Sequence, residues 1–311
     1  MERIICIAGP TASGKTELAV ALAEALNGEV LSCDSMQVYR SMDIGTAKPT
    51  PEERRGIVHH MLDVAEPWES YSVGQYVAQA EPILQSILRR GKTALVAGGT
   101  GLYMDALIRG NAFAPCPSTG VREALEAQAR QQGIAPLLER LRAVDPESAA
   151  RLHPSDEKRI LRALEVYLET GKTITQHNRE TQALPPRHEA VWIGLDYVNR
   201  STLYARIDLR VDRMLEAGLL REIQGLLARG VPDSATALQA IGYKEPLAAL
   251  RGQCTMEQAV AQIKQSSRRY AKRQLTWFRR NPGMNWLPRG DEENFSSIYS
   301  RAVGVIPFFD R

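Results

Sequence analysis

Gly9-Pro10-Thr11-Ala12-Ser13-Gly14-Lys15-Thr16 follows the apolar run Ile4-Ile5-Cys6-Ile7-Ala8 and precedes Glu17 to Leu26, where Leu18, Leu22 and Leu26 recur every fourth residue. The octet has the G-x-x-x-x-G-K-[ST] spacing, and its flanks supply the strand–loop–helix order that the motif requires. In that order the loop N–H groups and the positive end of the helix cradle a di- or triphosphate. Lys15 is expected on the outer phosphates, and the Thr16 hydroxyl on Mg²⁺. The alternative is a tight turn carrying a solvated lysine.

Working outward, Glu29-Val30-Leu31-Ser32-Cys33 reads as a second short strand, ending at Asp34. Ser72 to Arg90 reads as a helix that Pro82 kinks or splits. Thr93-Ala94-Leu95-Val96-Ala97 is a continuous apolar run that enters Gly98-Gly99-Thr100-Gly101. Such runs suit strands buried on both faces of a parallel sheet. The alternation implies a doubly wound α/β core of the P-loop NTPase-like kind. The texture changes at Ala114 to Ser118, where Pro115 and Pro117 mark a break. From Thr119 to about Ala183 the chain is charged and helical in period. Its clearest helix has Ser155 as N-cap, Asp156 and Glu157 in the first turn, Ile160, Leu161, Leu164 and Leu168 as its apolar stripe, and Gly171 beyond its end. Pro185-Pro186 closes the stretch, and Ala190 to Leu195 reads as a returning core strand. Residues 114–187 are therefore expected to form a mostly helical insertion in a core made of 1–113 and 188–311. Three helical stretches follow: about Ser201 to Arg229, Gly242 to Leu250, and Met256 to Arg280.

Composition narrows the class. The 311 residues are 44% apolar and 24% charged, ordinary for a soluble globular protein. No apolar run approaches the ~20 residues of a membrane span. The short apolar start runs into the glycine loop with no cleavage-type site, so a cytoplasmic protein without membrane association is expected. Cys6, Cys33, Cys116 and Cys254 are scattered and form no C-x-x-C, which fits reduced thiols. Net charge is only +3, but Lys264 to Arg280 holds seven basic residues and no acid. Mixed with Tyr270, Trp277 and Phe278, that stretch suits contacts with a phosphate backbone. His59-His60 has no partner at a zinc-like spacing and reads as structural.

Strand C-termini of a parallel sheet share one edge, where ligands bind. Three such ends carry polar residues: the glycine loop, Asp34 and Thr100. On residue type alone Asp34 could bind Mg²⁺, accept a proton from a nucleophile, or cap the next turn. The Leu95-Val96-Ala97 strand ends in Gly-Gly-Thr, without the acid that phosphate-loop NTPases use on Mg²⁺. No N-K-x-D guanine motif is present. The site looks able to hold a pyrophosphate group while lacking usual NTPase parts.

Seven segments together closely resemble the tRNA dimethylallyltransferases, also called tRNA isopentenyltransferases. They are Gly9 to Thr16, Asp34-Ser-Met-Gln-Val-Tyr39, Met42-Asp-Ile-Gly-Thr-Ala-Lys-Pro49, Gly98-Gly-Thr-Gly-Leu-Tyr103, Arg162-Ala-Leu-Glu-Val166, Ile241-Gly-Tyr-Lys244 and Tyr270-Ala-Lys-Arg-Gln-Leu-Thr-Trp277. The resemblance runs to about Trp286. The C-terminal zinc finger of eukaryotic relatives has no counterpart, so the bacterial type is expected. The resemblance implies transfer of a dimethylallyl group from its diphosphate to N6 of the adenosine just 3′ of the anticodon, with Mg²⁺ as cofactor. The glycine loop, Gly9, Pro10, Thr11, Ala12, Ser13, Gly14, Lys15 and Thr16, then holds the leaving pyrophosphate without ATP. Asp34 is implied as general base that also fixes the adenine, Thr100 as a hydrogen-bonding group near the reacting centre, and Lys15 and Arg210 as partners of the pyrophosphate. Arg206 or Arg213 could take the place of Arg210. Ser35, Met36 and Gln37 are implied on the tRNA side. Arg122, Lys158, Arg159, Ile160, Leu161 and Arg162 would meet the anticodon stem-loop from the insertion. Gly242, Tyr243, Lys244 and the run Lys272 to Arg280, including Arg273, Gln274, Trp277 and Arg279, would meet it from the core side. A monomer is expected. The rivals are a small-molecule or nucleotide kinase using ATP, a non-catalytic RNA-binding protein, and an enzyme prenylating free adenine nucleotides.

Overall fold

Residues along the first strand, β1 (Ile4–Ala8), alternate between two apolar layers. Ile4, Cys6 and Ala8 enter one; Ile5 and Ile7 enter the other. A strand side chain points to the opposite face at each step, so a continuous apolar strand requires cover on both sides. The computed structural model, which describes residues 2–110 and 119–309, shows that cover. The elements of the first half are α1 (Lys15–Ala25), β2 (Gly28–Ser32), α2 (Pro51–Arg54), β3 (His59–His60), α3 (Val73–Arg89), β4 (Thr93–Gly98) and α4 (Gly101–Arg109). The insertion holds α5 (Val121–Gln132), α6 (Ala135–Val144), α7 (Pro146–Arg151), α8 (Glu157–Thr170) and α9 (Ile174–Ala183). After it come β5 (Val191–Tyr197), α10 (Arg200–Glu216), α11 (Leu219–Ala228), α12 (Lys244–Leu250), α13 (Met256–Phe278), β6 (Met284–Arg289) and α14 (Phe295–Gly304).

The six strands form one sheet in the order β3-β2-β4-β1-β5-β6, and every pairing is parallel. Ile5 of β1 registers with Leu95 on one side and Val191 on the other. One face is covered by Tyr76, Ala80, Leu84 and Ile87 of α3 and by Tyr103, Met104 and Leu107 of α4. The other is covered by Leu18, Ala19 and Leu22 of α1 and by Ile298 and Ala302 of α14. Tyr76 and Tyr103 stack with ring centroids 4.6 Å apart, and such a pair adds about 0.5–1.5 kcal/mol beyond burial. The chain divides into two compact units, Met1–Ile108 with His188–Arg311, and Arg109–Arg187. The sequence break at Ala114 to Ser118, with Cys116, lies outside the described residues. Within the second unit Leu125, Leu137, Leu141, Ile160, Leu161 and Leu164 make a separate core.

Several local expectations change. Pro82 lies inside α3 without splitting it, because one buried face continues through the proline. Packing of that face outweighs the lost backbone bond. Asp156, not Ser155, is the N-cap of α8; Ser155 Oγ instead bonds His153 Nδ1 at 2.7 Å. Leu168 of that helix is exposed, while Gly171 closes it at φ 70°. Ser201 to Arg229 is two helices, broken at Gly218 with φ 103°. His59 and His60 form an edge strand, where His60 Nε2 meets the buried Glu29 carboxylate at 2.8 Å. Cys6, Cys33 and Cys254 are free thiols. Among the described residues no helix is long and apolar enough to cross a membrane.

Candidate active site

The glycine loop leaves β1 at Gly9 and enters α1 at Lys15. Gly9 has φ 151°, and a Cβ there would lie 2.6 Å from the Leu195 carbonyl of β5. The loop therefore packs against the neighbouring strand as only glycine permits. Ala12 at φ 63° and Gly14 at φ 93° complete its curl. Gln274 of α13 braces it from the side: Thr11 N–H donates to Oε1 at 2.9 Å, and Nε2 donates to Gly99 O at 3.0 Å. One buried amide thus ties the phosphate loop to the end of β4.

Lys15 Nζ donates to Pro10 O at 2.6 Å. Its pKa is lowered to about 7, first by burial and then by the cation of Arg210, with Asp34 pulling the other way. Arg210, on α10, is itself lowered by burial, and Asp34 opposes that shift. Lys15, Asp34 and Arg210 therefore share one electrostatic site, reached from β1, from β2 and from a helix far along the chain. Arg206 takes a different place. Its Nε donates to Ala12 O at 3.2 Å on the loop itself, while Arg213 is exposed.

Asp34 begins a tight turn. Its Oδ1 accepts from Met36 N–H at 2.8 Å and Gln37 N–H at 3.3 Å. Turn-capping thus occupies one carboxylate oxygen. Thr100 stands opposite: Ser35 N–H donates to Thr100 Oγ1 at 3.0 Å, and Thr100 N–H donates to Cys33 O at 3.2 Å. A Cβ on Gly98 would lie 2.0 Å from Cys33 O, so the glycine brings β2 and β4 together directly beneath these two residues. The convergence of the glycine loop, Asp34 and Thr100 inferred from strand ends is what the sheet builds.

Other assigned side chains are committed elsewhere. Gln37 Nε2 donates to Thr46 O and Ala47 O, at 3.3 and 3.1 Å, and its Oε1 accepts from Ser32 Oγ at 2.8 Å. Gln274 and Tyr243 are buried, and the Tyr243 hydroxyl donates to Glu222 at 2.6 Å. Ile160 and Leu161 are buried in the insertion's core. Helical spacing explains the last two: on an amphipathic helix, neighbours in sequence divide between a buried stripe and a solvated face at a period of about 3.6 residues. These five side chains hold the protein together. On the insertion Lys158 and Arg159 are exposed, Arg159 lying 3.3 Å from Asp156. Arg122 pairs with Glu126 at 2.8 Å and Arg162 with Glu165 at 3.1 Å.

The basic helix also needs correction. No acid lies in the run Lys264 to Arg280, but other elements supply three. Asp212 pairs with Lys264 at 2.6 Å, Asp208 with Arg268 at 2.6 Å, and Asp196 with Arg279 at 3.0 Å. Arg273 lies over the Tyr270 ring at 5.4 Å and Arg280 over Trp277 at the same distance. Trp277 is anchored by its Nε1–H to Asp105, at 2.8 Å. Arg273, four residues on, shares a helix face with exposed Arg269, and exposed Arg280 lies in the turn just beyond the end of α13. Two residues that the structure brings forward were given no individual role by the sequence. Tyr270 has its hydroxyl beside Thr100 and its pKa pushed up to about 12, chiefly by burial and then by Asp34. Glu222 is the other; its place becomes clear only from the contacts it makes.

The parallel sheet, glycine loop and strand-end cluster define a P-loop-like α/β protein with a helical insertion. The chain belongs to the IPP transferase family, whose model matches residues 37–281, and a second model, isopentenyl transferase, matches residues 2–66. It is 47% identical to tRNA dimethylallyltransferase 1 of Trichlorobacter lovleyi, over 97% of this chain and 98% of that one. It is 47% identical to the tRNA dimethylallyltransferase of Geobacillus thermodenitrificans over 95% and 93% of the two chains. Its fold matches the crystal structure of the full-length tRNA isopentenylpyrophosphate transferase of Bacillus halodurans with TM-score 0.74 and 40% identity, over 99% and 98% of the chains. It also matches a eukaryotic dimethylallyltransferase, solved acting on tRNA, with TM-score 0.84 and 31% identity, over 97% of this chain and 78% of the other.

Proposed function

We propose that the chain transfers a dimethylallyl group from dimethylallyl diphosphate to N6 of the adenosine immediately 3′ of the anticodon in tRNA, releasing pyrophosphate. The observation that supports this reading best is the meeting of Lys15 and Arg210 with Asp34, two basic groups and one carboxylate at the mouth of a phosphate loop. An adenine amino group is a weak nucleophile, because its lone pair is delocalised into the ring. The rate must come from the electrophile and from positioning. Lys15, Arg210 and the loop amides stabilise the charge that develops on the departing pyrophosphate, the kind of contribution that is usually largest. Asp34, with Oδ1 held in its turn, uses its other oxygen to take the N6 proton as the N–C bond forms. Such general-base help is typically worth about 10²–10⁴-fold. Thr100, fixed by Ser35 N–H, holds the adenine edge beside Asp34.

The donor set suits Mg²⁺ held mainly by substrate. Among the described residues no three His, Cys, Asp or Glu gather as a cage, and Mg²⁺ ordinarily takes one or two protein oxygens plus phosphates and water. The exposed Thr16 hydroxyl at the loop's end would be such an oxygen. Bound there, Mg²⁺ would neutralise charge on the leaving pyrophosphate. Lys158 and Arg159 on the insertion, with Lys244, Lys272, Arg273 and Arg280 on the core, would meet the phosphates of the anticodon arm. The adenine must leave its stack to react. A monomer working in the cytoplasm completes the proposal.

The test is incubation with unmodified tRNA and either dimethylallyl diphosphate or ATP, followed by mass spectrometry of the RNA. The expected result is one added five-carbon unit, only with the allylic diphosphate. Consumption of ATP with unaltered RNA would replace this reading by a kinase.

A further inference from the structure

Met42-Asp-Ile-Gly-Thr-Ala-Lys-Pro49 has no part in the chemistry above, yet this loop is tied from several directions. The Glu222 carboxylate of α11 accepts three consecutive backbone N–H groups: Asp43 at 2.8 Å and Ile44 at 2.7 Å on Oε2, and Gly45 at 3.1 Å on Oε1. The Tyr243 hydroxyl donates to the same Oε1 at 2.6 Å. Charge-assisted bonds of this kind are about twice as strong as neutral ones, and here one side chain gathers four. The fit leaves no slack, for a Cβ on Gly45 would lie 2.4 Å from the Tyr243 ring. Lys48, buried, closes the loop's far end on Tyr39 O at 2.9 Å and on Asp43 and Asp63 at 2.6 Å each.

The loop leads to Asp34. Its carbonyls at Thr46 and Ala47 accept from Gln37 Nε2, while Gln37 Oε1 is held by Ser32 at the end of β2. Gln37 N–H in turn donates to Asp34 Oδ1. The turn of Asp34, Ser35 and Met36 is thus set between β2 and a loop whose place Glu222 decides. The phosphate loop takes its brace from Gln274 instead. We infer that Glu222 is a positioning residue for the nucleic-acid substrate: it fixes the 42–48 loop, and through Gln37 the turn that presents Asp34, without acting on the diphosphate.

The inference rests on the proposed transfer to tRNA. Full-length Glu222→Ala, Glu222→Gln and Tyr243→Phe are assayed beside the unaltered protein with unmodified tRNA and dimethylallyl diphosphate. If the unaltered protein does not modify tRNA, the functional reading fails before Glu222 is in question. Where it does, loss of charged acceptors facing backbone donors is expected to raise KM for tRNA about tenfold or more in Glu222→Gln, further in Glu222→Ala, and to lower kcat. KM for the diphosphate is expected to stay within about twofold, since the bonds lost do not reach the glycine loop. Tyr243→Phe removes one hydroxyl and leaves the carboxylate on its three N–H groups. It is expected to shift KM for tRNA about threefold and to lower the melting temperature only by several degrees, which keeps the test alive should the Glu222 variants not fold. A merely structural role would lower the active fraction, so kcat would fall with both KM values unchanged. That pattern, or a parallel rise in both KM values, overturns the inference.

Discussion

Binding of the diphosphate should draw a proton from solution onto Lys15. In the ligand-free site its pKa is about 7, held down by burial and by Arg210. A bound pyrophosphate group supplies the missing counter-charge and lifts the lysine back toward its ordinary value. At pH 8 a group with pKa about 7 is ~0.9 unprotonated, so binding should take up close to one proton per ligand. The ligand's own last ionisation, near pKa ~6, is over by then and contributes little. Affinity should therefore be greatest below pH 7 and fall about tenfold per unit as pH rises, ~1.4 kcal/mol each. Titration calorimetry at pH 8 in two buffers of different ionisation enthalpy counts the protons directly. Lys15→Arg, which stays charged, should bind with uptake near zero. The sign for folding is opposite. Because the folded pKa is depressed, the unfolded chain binds more protons between the two values, so ligand-free stability rises with pH above 7. Equal heats in the two buffers, or uptake unaltered in Lys15→Arg, would refute the reasoning.

Asp34→Asn, whose amide oxygen can still accept from Met36 and Gln37 N–H, should cut single-turnover transfer at least about 10²-fold while tRNA affinity, read by filter binding, stays within a few-fold. Near-normal turnover would remove Asp34 as the base. Arg273→Ala should reduce the salt slope of RNA affinity by roughly 0.7–0.9, whereas Arg268→Ala, whose guanidinium is held by Asp208, should leave it unchanged; equal slopes in a salt titration would count against the division of the basic helix. Gln274→Ala strands the Thr11 N–H and the Gly99 carbonyl, so urea unfolding should show a loss of about 1–3 kcal/mol, with diphosphate affinity reduced alongside. An unchanged midpoint would mean that the glycine loop does not need its brace.

The strands that hold the site were legible because two-sided burial writes itself as unbroken apolar runs, as in Ile4–Ala8 and Thr93–Gly98. The glycine loop was legible because backbone geometry demands glycine at fixed spacing. Strand β6 was not, since Met284 to Arg289 mixes Asn, Pro and Arg into an edge strand that is only partly covered. Residues assigned in runs proved mixed: Ile160 and Leu161 point into a core beside exposed Lys158 and Arg159, a distinction set by helix rotation. The neutralising acids of the basic helix come from Asp196, Asp208 and Asp212, far away in sequence, so no local reading of charge could find them. Glu222 lay hidden for the same reason: the backbone amides it holds are more than half the chain's length away in sequence.

The central strand β1 pairs with β4 on one edge and with β5 on the other, and the entire insertion is encoded between those two partners. During synthesis at about 5–20 residues per second, that second edge stays unfilled for roughly five to twenty seconds. Meanwhile the inserted helices carry an apolar interior of their own, able to close first. A nascent chain stalled anywhere in this interval displays an open, apolar strand edge, the kind that invites intermolecular pairing. The order of elements along the chain therefore leaves an aggregation hazard midway through translation, and rare codons there would lengthen it.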